Sequence, residues 1–172
     1  MKKVRNPPYM RIMIAPFTHT AHERGDSFMN DQDTLRLLRE CDAGAKMGVA
    51  SIDGVIEDVK NRELHDLLQN SKQRHEQLGD RTAQLLSQWH EEGKEPSLMA
   101  KSMSSMKISM KMMTGNPDQQ AADLITDGCN MGVKSLCKYL NQYPTAQQEA
   151  KDITNQLIGE EEQLARTMRP YL

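Results

Sequence analysis

The sequence predicts an all-α protein built as a bundle of long helices. Its 172 residues include 13 methionines, whereas aromatic residues make up only 4% of the chain, a composition that is typical of helices rather than sheets. After residue 31, apolar residues return every three or four positions over stretches much longer than a strand. The prolines beyond that point, Pro96, Pro117, Pro144 and Pro170, fall between or after these stretches.

Residues 1–30 differ from the rest of the chain because they contain three prolines and show no sustained apolar period. We expect them to form an N-terminal arm, and residues 31–172 to form the helical bundle. The arm includes the apolar run Met10–Phe17, which is interrupted by Pro16 and is too apolar to remain in water. We therefore expect this run to pack on the bundle or on a second subunit, which predicts a homodimer.

The spacing of apolar residues and of capping residues predicts five helices in the bundle. They run from Asp31 or Asp33 to Asn61, from Leu64 to Trp89 with a stop at Gly93, from Ser97 to Met113, from a cap at Asn116 to Tyr143, and from a cap at Thr145 to Met168. The last two starts are the clearest, because Pro117 follows Asn116 at the first helical position and Gln148 stands three residues after Thr145.

A weak internal repeat relates the two halves of the bundle. The stretch 46–52 (Lys-Met-Gly-Val-Ala-Ser-Ile) aligns with 130–136 (Asn-Met-Gly-Val-Lys-Ser-Leu) at a shift of 84 residues, and Glu-Gln-Leu at 76–78 aligns with Glu-Gln-Leu at 162–164 at a shift of 86. The repeat predicts two long helical hairpins joined by a connector that holds the third helix. At 1.5 Å per residue that helix spans ~25 Å, which suffices to carry the chain back along much of a four-helix bundle.

This arrangement resembles the ferritin-like superfamily over about residues 31–170. Members of that superfamily have two antiparallel hairpins related by a pseudo-twofold axis and joined by a long crossover. The stretch 61–68 (Asn-Arg-Glu-Leu-His-Asp-Leu-Leu), followed by His-Glu-Gln-Leu at 75–78, is also similar to the bacterial spore-coat and uncharacterised branches of the superfamily. The resemblance implies a ferritin-like four-helix bundle of two helical hairpins with a helical crossover.

Superfamily members with a di-iron site carry an inward Glu on the first helix of each hairpin and a Glu-x-x-His pair on the second. When that pattern is placed on this sequence, His75 stands at a ligand position, but Lys72 replaces the carboxylate three residues earlier. In the second hairpin, Ile158 and Glu161 stand at the positions of the Glu and the His. The resemblance therefore implies no intact di-iron site, no metal cofactor and no catalytic residues.

A polar layer is predicted across the middle of the bundle, because Asp42, His75, Thr126 and Glu161 fall on interior positions at similar distances from the hairpin turns. Burying an unpaired charge is costly, so we expect His75 to contact either Asp42 or Glu161. We interpret the layer as a vestige of a metal site, in a non-catalytic protein with a structural or interaction role. The alternative is a single metal held by Asp42, His75 and Glu161, in an oxidoreductase that uses a reduced ligand set.

The third predicted helix carries a methionine stripe at helical spacing, formed by Met99, Met103, Met106, Met110 and Met113. Core packing is the ordinary role of such a stripe, and the lysines and serines elsewhere on this helix suit a surface in contact with water. Because thioether side chains are soft and adaptable, the same face also suits Cu(I) or a groove for a partner helix.

Charge and cysteine content argue against several classes of partner. The chain has 22 Lys and Arg against 24 Asp and Glu, and a net charge of −2 favours neither a nucleic acid nor an anionic membrane. No stretch approaches the ~18 consecutive apolar residues of a membrane span, and the start of the chain lacks the apolar core of a secretory signal. Three cysteines do not suggest a disulfide framework. We therefore expect a cytoplasmic protein with reduced, buried thiols.

Overall fold

The computed structural model describes residues 21–89 and 114–172. Within these ranges the chain is all-helical and forms four α-helices that pack against one another. They are α1 (Ala21–Val55), α2 (Arg62–Gln88), α3 (Pro117–Gln142) and α4 (Gln148–Met168), with short 3-10 segments at Ile56–Asp58 and Arg169–Tyr171. The predicted helix from Ser97 to Met113, with its methionine stripe, lies outside the described residues.

Helix α1 begins at Ala21, so the predicted start at Asp31 or Asp33 is wrong. The stretch between Ala21 and Asn30 contains no proline, and a single glycine, Gly25, costs a helix only about 1 kcal/mol. Part of the expected arm is therefore helical. The apolar run Met10–Phe17 lies outside the described residues.

The N-termini of α2 and α3 are capped by asparagines. The side chain of Asn61 accepts a hydrogen bond from the Leu64 amide at 3.0 Å. The side chain of Asn116 accepts one from the Asp118 amide at 3.0 Å, and Pro117 occupies the first turn. The predicted start of the fourth helix at Asn116 is thus confirmed, and each asparagine satisfies an amide that has no partner within its own helix.

Helix α4 is capped differently from the prediction, because it begins at Gln148 and Thr145 is not its cap. The Thr145 hydroxyl instead donates to Asp33 Oδ2 at 2.6 Å. The Gln147 amide, at the start of α4, donates to Thr34 Oγ1 at 2.8 Å. The cap therefore comes from α1, and local spacing around Thr145 cannot reveal it.

The start of α2 receives a matching contact from the other hairpin. The Asp118 carboxylate, on the first turn of α3, accepts hydrogen bonds from the amides of Lys60 at 2.7 Å and Asn61 at 3.1 Å. These contacts place the start of α3 beside the end of α1, so that α1 and α3 are antiparallel. The helices run up, down, down and up in chain order, and α2 ends at the opposite end of the bundle from the start of α3.

Among the residues that the structure describes, two apolar clusters fill the core, one toward each end of the bundle. The first includes Leu37, Leu38, Leu86, Ile153 and Leu157, and the second includes Ile52, Val55, Leu64, Leu68 and Leu164, all nearly inaccessible to water. On every helix the residues between these clusters lie at mid-height. His75 on α2 and Glu161 on α4 occupy that level, so the apolar core is divided by a buried polar contact.

Candidate functional site

The centre of the bundle is a buried pair formed by His75 and Glu161. The imidazole is fully buried, and its Nε2 lies 3.3 Å from Oε1 of Glu161. On the other side of the ring, Nδ1 lies 2.9 Å from the Ser71 carbonyl oxygen, which can only accept a hydrogen bond. Nδ1 must therefore carry a proton. A second proton on Nε2 lets the ring donate to the carboxylate as well.

The surroundings of His75 favour this doubly protonated ring. Burial lowers the pKa of the imidazole, but the hydrogen bond to Glu161, the charge of that carboxylate, the Ser71 carbonyl and the charge of Glu160 together raise it above its usual value. At pH values below this raised pKa the ring is an imidazolium, which donates a hydrogen bond to Glu161 within the core.

Two glycines at equivalent positions of the repeat make room for the pair. A Cβ on Gly48 of α1 would clash with the imidazole ring of His75, and a Cβ on Gly132 of α3 would lie 3.1 Å from Oε1 of Glu161. Both glycines are in ordinary helical backbone. They are therefore required by the close approach of the polar side chains and not by the turn geometry that usually favours glycine.

The neighbouring polar groups extend the pair along α2 and α4. Glu160 accepts hydrogen bonds from Ser71 Oγ at 2.9 Å and from Arg74 Nε at 2.8 Å. Burial and the charge of Glu161 raise the pKa of the Cys129 thiol well above its usual range. Cys129 is thus held as a neutral thiol, and a thiolate nucleophile is not available at this position.

The other two cysteines differ from each other in exposure. Cys41 is buried, and its Sγ lies 3.1 Å from Thr154 Oγ1. Burial raises its pKa to about 11. Cys137 is exposed, so the prediction that all three thiols are buried is wrong at this residue, which lies outside the apolar face of α3.

The two remaining members of the predicted polar layer do not join the pair. Asp42 is buried, but its Oδ2 lies 3.0 Å from Lys46 Nζ, one turn further along the same helix. The Oγ1 of Thr126 is buried and has no hydrogen-bond partner among the described residues. The expected contact of His75 is therefore made by Glu161, while a lysine four residues away neutralises Asp42 locally.

The residues at the middle of the bundle do not fit a metal ion. No group of three or more His, Cys, Asp or Glu within residues 30–89 and 114–172 is placed to hold one. Lys72, at a position where a ligand carboxylate would be needed, donates to Asp53 at 2.6 Å. The alternative ligand set of Asp42, His75 and Glu161 is not assembled, because Asp42 pairs with Lys46 and the other two pair with each other.

Above the pair, α1 and α3 border an open groove of about 490 Å³, which we call the central groove. Its floor includes His75 and Glu161, and its walls are mostly apolar and small. They carry two glycines from each helix, Gly44 and Gly48 on α1 and Gly128 and Gly132 on α3. Met47 and Met131 flank the groove, and 38% and 70% of their respective surfaces are exposed.

The central groove was not predicted from the sequence, although a signal for it is present. The repeat aligns Gly-Ala-Lys-Met-Gly at 44–48 with Gly-Cys-Asn-Met-Gly at 128–132. Two glycines four residues apart leave a helix face without side chains, and here this pattern occurs on both helices that border the groove. The predicted partner groove, formed by the methionine stripe from Met99 to Met113, lies outside the described residues.

The helices of the described ranges contain no segment that is both long and apolar enough to span a membrane. No protein-family model matches this chain, and neither the curated proteins nor the solved structures contain a significant match to it.

Proposed function

We propose that this chain is a ferritin-like helical bundle with a non-catalytic, structural or interaction role, and that it lacks an intact di-iron site. The observation that carries the proposal is the contact between His75 and Glu161, with Nε2 and Oε1 3.3 Å apart. The two side chains that the resemblance places at metal-ligand positions on α2 and α4 are thereby bound to each other. A metal would have to compete with a hydrogen bond between two charged groups in the core.

Three features support the ferritin-like assignment. The helices run up, down, down and up, which requires a connection along the length of the bundle. The contacts that cap α2 and α4 are equivalent in the repeat, since Thr34 aligns with Asp118 and Asn61 aligns with Gln147. His75 and Glu161 are also equivalent, at the same 86-residue shift, and both lie at mid-height in the core.

The proposal includes a homodimer in the cytoplasm, without nucleic-acid or membrane partners. Its support is the near-neutral net charge of −2 and the apolar run Met10–Phe17, which needs a surface to cover it. Light scattering coupled to size-exclusion chromatography tests the oligomer directly. Twice the chain mass of 19.6 kDa is expected, and a monomer at all concentrations would contradict the dimer.

Metal loading tests the central claim. The chain is incubated with excess Fe(II) without oxygen, or with Mn(II), then desalted, and the bound metal is measured by mass spectrometry. We expect far less than one ion per chain and no oxygen consumption when air is admitted. Glu161→Gln tests the site, and Glu162→Gln is the control, because Glu162 lies on the same helix with about half of its side chain exposed.

An oxidoreductase with a reduced ligand set predicts the opposite result. In that case the wild-type chain and Glu162→Gln would each retain at least one ion per chain, and Glu161→Gln would lose it. Such a pattern would overturn the non-catalytic role. Metal that is retained equally by all three proteins would lie outside this site and would leave the central pair metal-free, as proposed.

A further inference from the structure

The central groove is a gap that no described side chain fills. A Cβ added to Gly128 would meet no atom within 4 Å, and Met131 is 70% exposed. The opposite face of the bundle, between α2 and α4, differs in this respect. There, Arg74 binds Glu160 and Arg81 donates to Gln156 at 3.3 Å, so that polar side chains bridge the two helices. Polar side chains therefore bridge the face between α2 and α4, whereas the face between α1 and α3 pairs Glu40 with Tyr139 at one end of the groove and is mostly apolar along the rest of it.

Helix α2 ends at one end of the bundle and α3 begins at the other, so the residues that connect them must pass along the bundle. Trp89 lines a small cavity together with Thr34 and Gln147, so α2 ends near the level of Thr34 on α1. Helix α3 begins at the other end, where Asp118 contacts Asn61. The 24 residues from 90 to 113 must therefore cover the distance from the level of Thr34 to that of Asn61.

The central groove lies between these two levels. Its α1 wall runs from Glu40 to Ile52, which corresponds to ~18 Å at 1.5 Å per residue. The predicted helix at 97–113 would be ~25 Å long and has one methionine face. Unbranched methionine side chains suit an irregular wall of glycines better than branched side chains do. The length, direction and chemistry of this stretch therefore match the groove.

We propose that residues 97–113 of the same chain occupy the central groove. Their methionine face lies against Met47 and Met131 and covers the pair of His75 and Glu161. The lysines at 101, 107 and 111 then lie toward water. The occupant is thus the chain itself, and it covers the remaining exposed surface of Glu161, which is 8% exposed, at the floor of the groove.

Two other occupants fit less well. Residues 1–20 precede Ala21, which lies 13 positions, or ~20 Å of helix, before the level of Thr34. Residues 1–20 therefore meet the bundle beyond its end, whereas the residues between α2 and α3 must pass along its side. For a second copy of the chain, the described residues offer no match of length and direction comparable to that of residues 97–113.

Crosslinking between introduced cysteines tests the proposal in the full-length chain. In a Cys137→Ser background, which removes the exposed thiol, Met131→Cys is combined in turn with Met103→Cys, Met106→Cys and Met110→Cys, and a short bismaleimide is added. The matched controls combine the same three substitutions with Gln156→Cys, since Gln156 is exposed on the opposite face. Circular dichroism establishes that each variant is folded before it is compared.

We expect at least one Met131 pair to form an intrachain crosslink, identified by peptide mass spectrometry in protein of monomer mass. Its yield should be several-fold above that of the Gln156 pairs and should not fall on dilution, because an intramolecular partner keeps its effective concentration. Yields equal to the Gln156 controls would overturn the proposal. Crosslinks formed only between chains would also overturn it and would assign the groove to a second copy. Neither outcome depends on the metal content of the protein.

Discussion

The imidazole ring of His75 lies directly against the backbone of Gly48, so that a Cβ at this position of α1 would clash with Cδ2 of the ring. The contact joins the first hairpin's two helices at the level where the polar pair interrupts the apolar core. The identity of residue 48 is therefore determined by a side chain 27 positions away in sequence, which makes it a sensitive place to test the packing at the centre.

Gly48→Ala should destabilise the protein by about 1–3 kcal/mol, because overpacking a filled site forces neighbouring groups to move. Gly159→Ala is the control: Gly159 is exposed on α4 with open space around it, and the substitution should stabilise the helix by up to about 1 kcal/mol. Urea denaturation followed by circular dichroism measures both. Equal effects of the two substitutions would mean that the ring is not packed against Gly48.

Removing one member of the buried pair should cost more than removing both. His75→Leu leaves the carboxylate of Glu161, which is 8% exposed, without its cationic partner, and a loss of about 3–5 kcal/mol is expected. Adding Glu161→Leu to that variant should restore part of the stability, because the pair then leaves no uncompensated charge in the core. Urea denaturation of the single and double variants completes the cycle. Additive losses would show that the two side chains do not interact.

The free energy of unfolding should fall as the pH rises through the pKa of His75. The folded-state pKa is raised, so the stabilisation is fully present below the unfolded value of about 6.5 and is lost above the folded value. Denaturation curves from slightly acidic to alkaline pH should show this loss in the wild type and not in His75→Gln. A proton NMR titration of the ring gives the folded pKa independently, and a lowered value would contradict the charged pair.

The contacts that cap helices across the two hairpins should each contribute about 1 kcal/mol. Asp118→Ala removes the acceptor of two amides at the start of α2, and Thr34→Ala removes the acceptor of the Gln147 amide. Because the two sites are at opposite ends of the bundle, the double variant should show the sum of the two losses. Asp123→Ala, on an exposed position of α3, should change stability by less than about 0.5 kcal/mol. A loss at Asp123 as large as at Asp118 would argue against the cap.

The helices of this protein could be predicted from local sequence because their signals are local. Apolar spacing and the Asn116-Pro117 start indicated α3 correctly. The start of α1 is predicted too late because residues 1–30 show no sustained apolar period, although the part from Ala21 onward contains no proline and its one glycine, Gly25, is a small cost in a long helix. The cap at Thr145 was predicted from local spacing, which takes no account of residues that are distant in sequence. In the structure, Thr34 on α1 accepts the hydrogen bond of the Gln147 amide at the start of α4.

At the centre of the bundle, the residues that lie at mid-height could be predicted, but not which of Asp42 and Glu161 pairs with His75. His75 and Glu161 meet because both lie on interior faces at mid-height. Asp42 lies on α1 and pairs with Lys46, a contact that spacing of four residues on one helix could have indicated. The central groove is harder to predict, because it is formed where side chains are missing. It depends on glycines repeated in α1 and α3 rather than on any reactive side chain.

The exchange of helix caps between the hairpins makes the two halves of the chain depend on each other. Thr34 accepts a hydrogen bond at the start of α4 and Asp118 accepts two at the start of α2, so each hairpin contributes an acceptor to the second helix of the other. Two identical half-length chains placed face to face would make this contact twice, once in each direction, as subunits of a symmetric pair do. A hairpin separated from the other would therefore lose an acceptor at the start of its second helix.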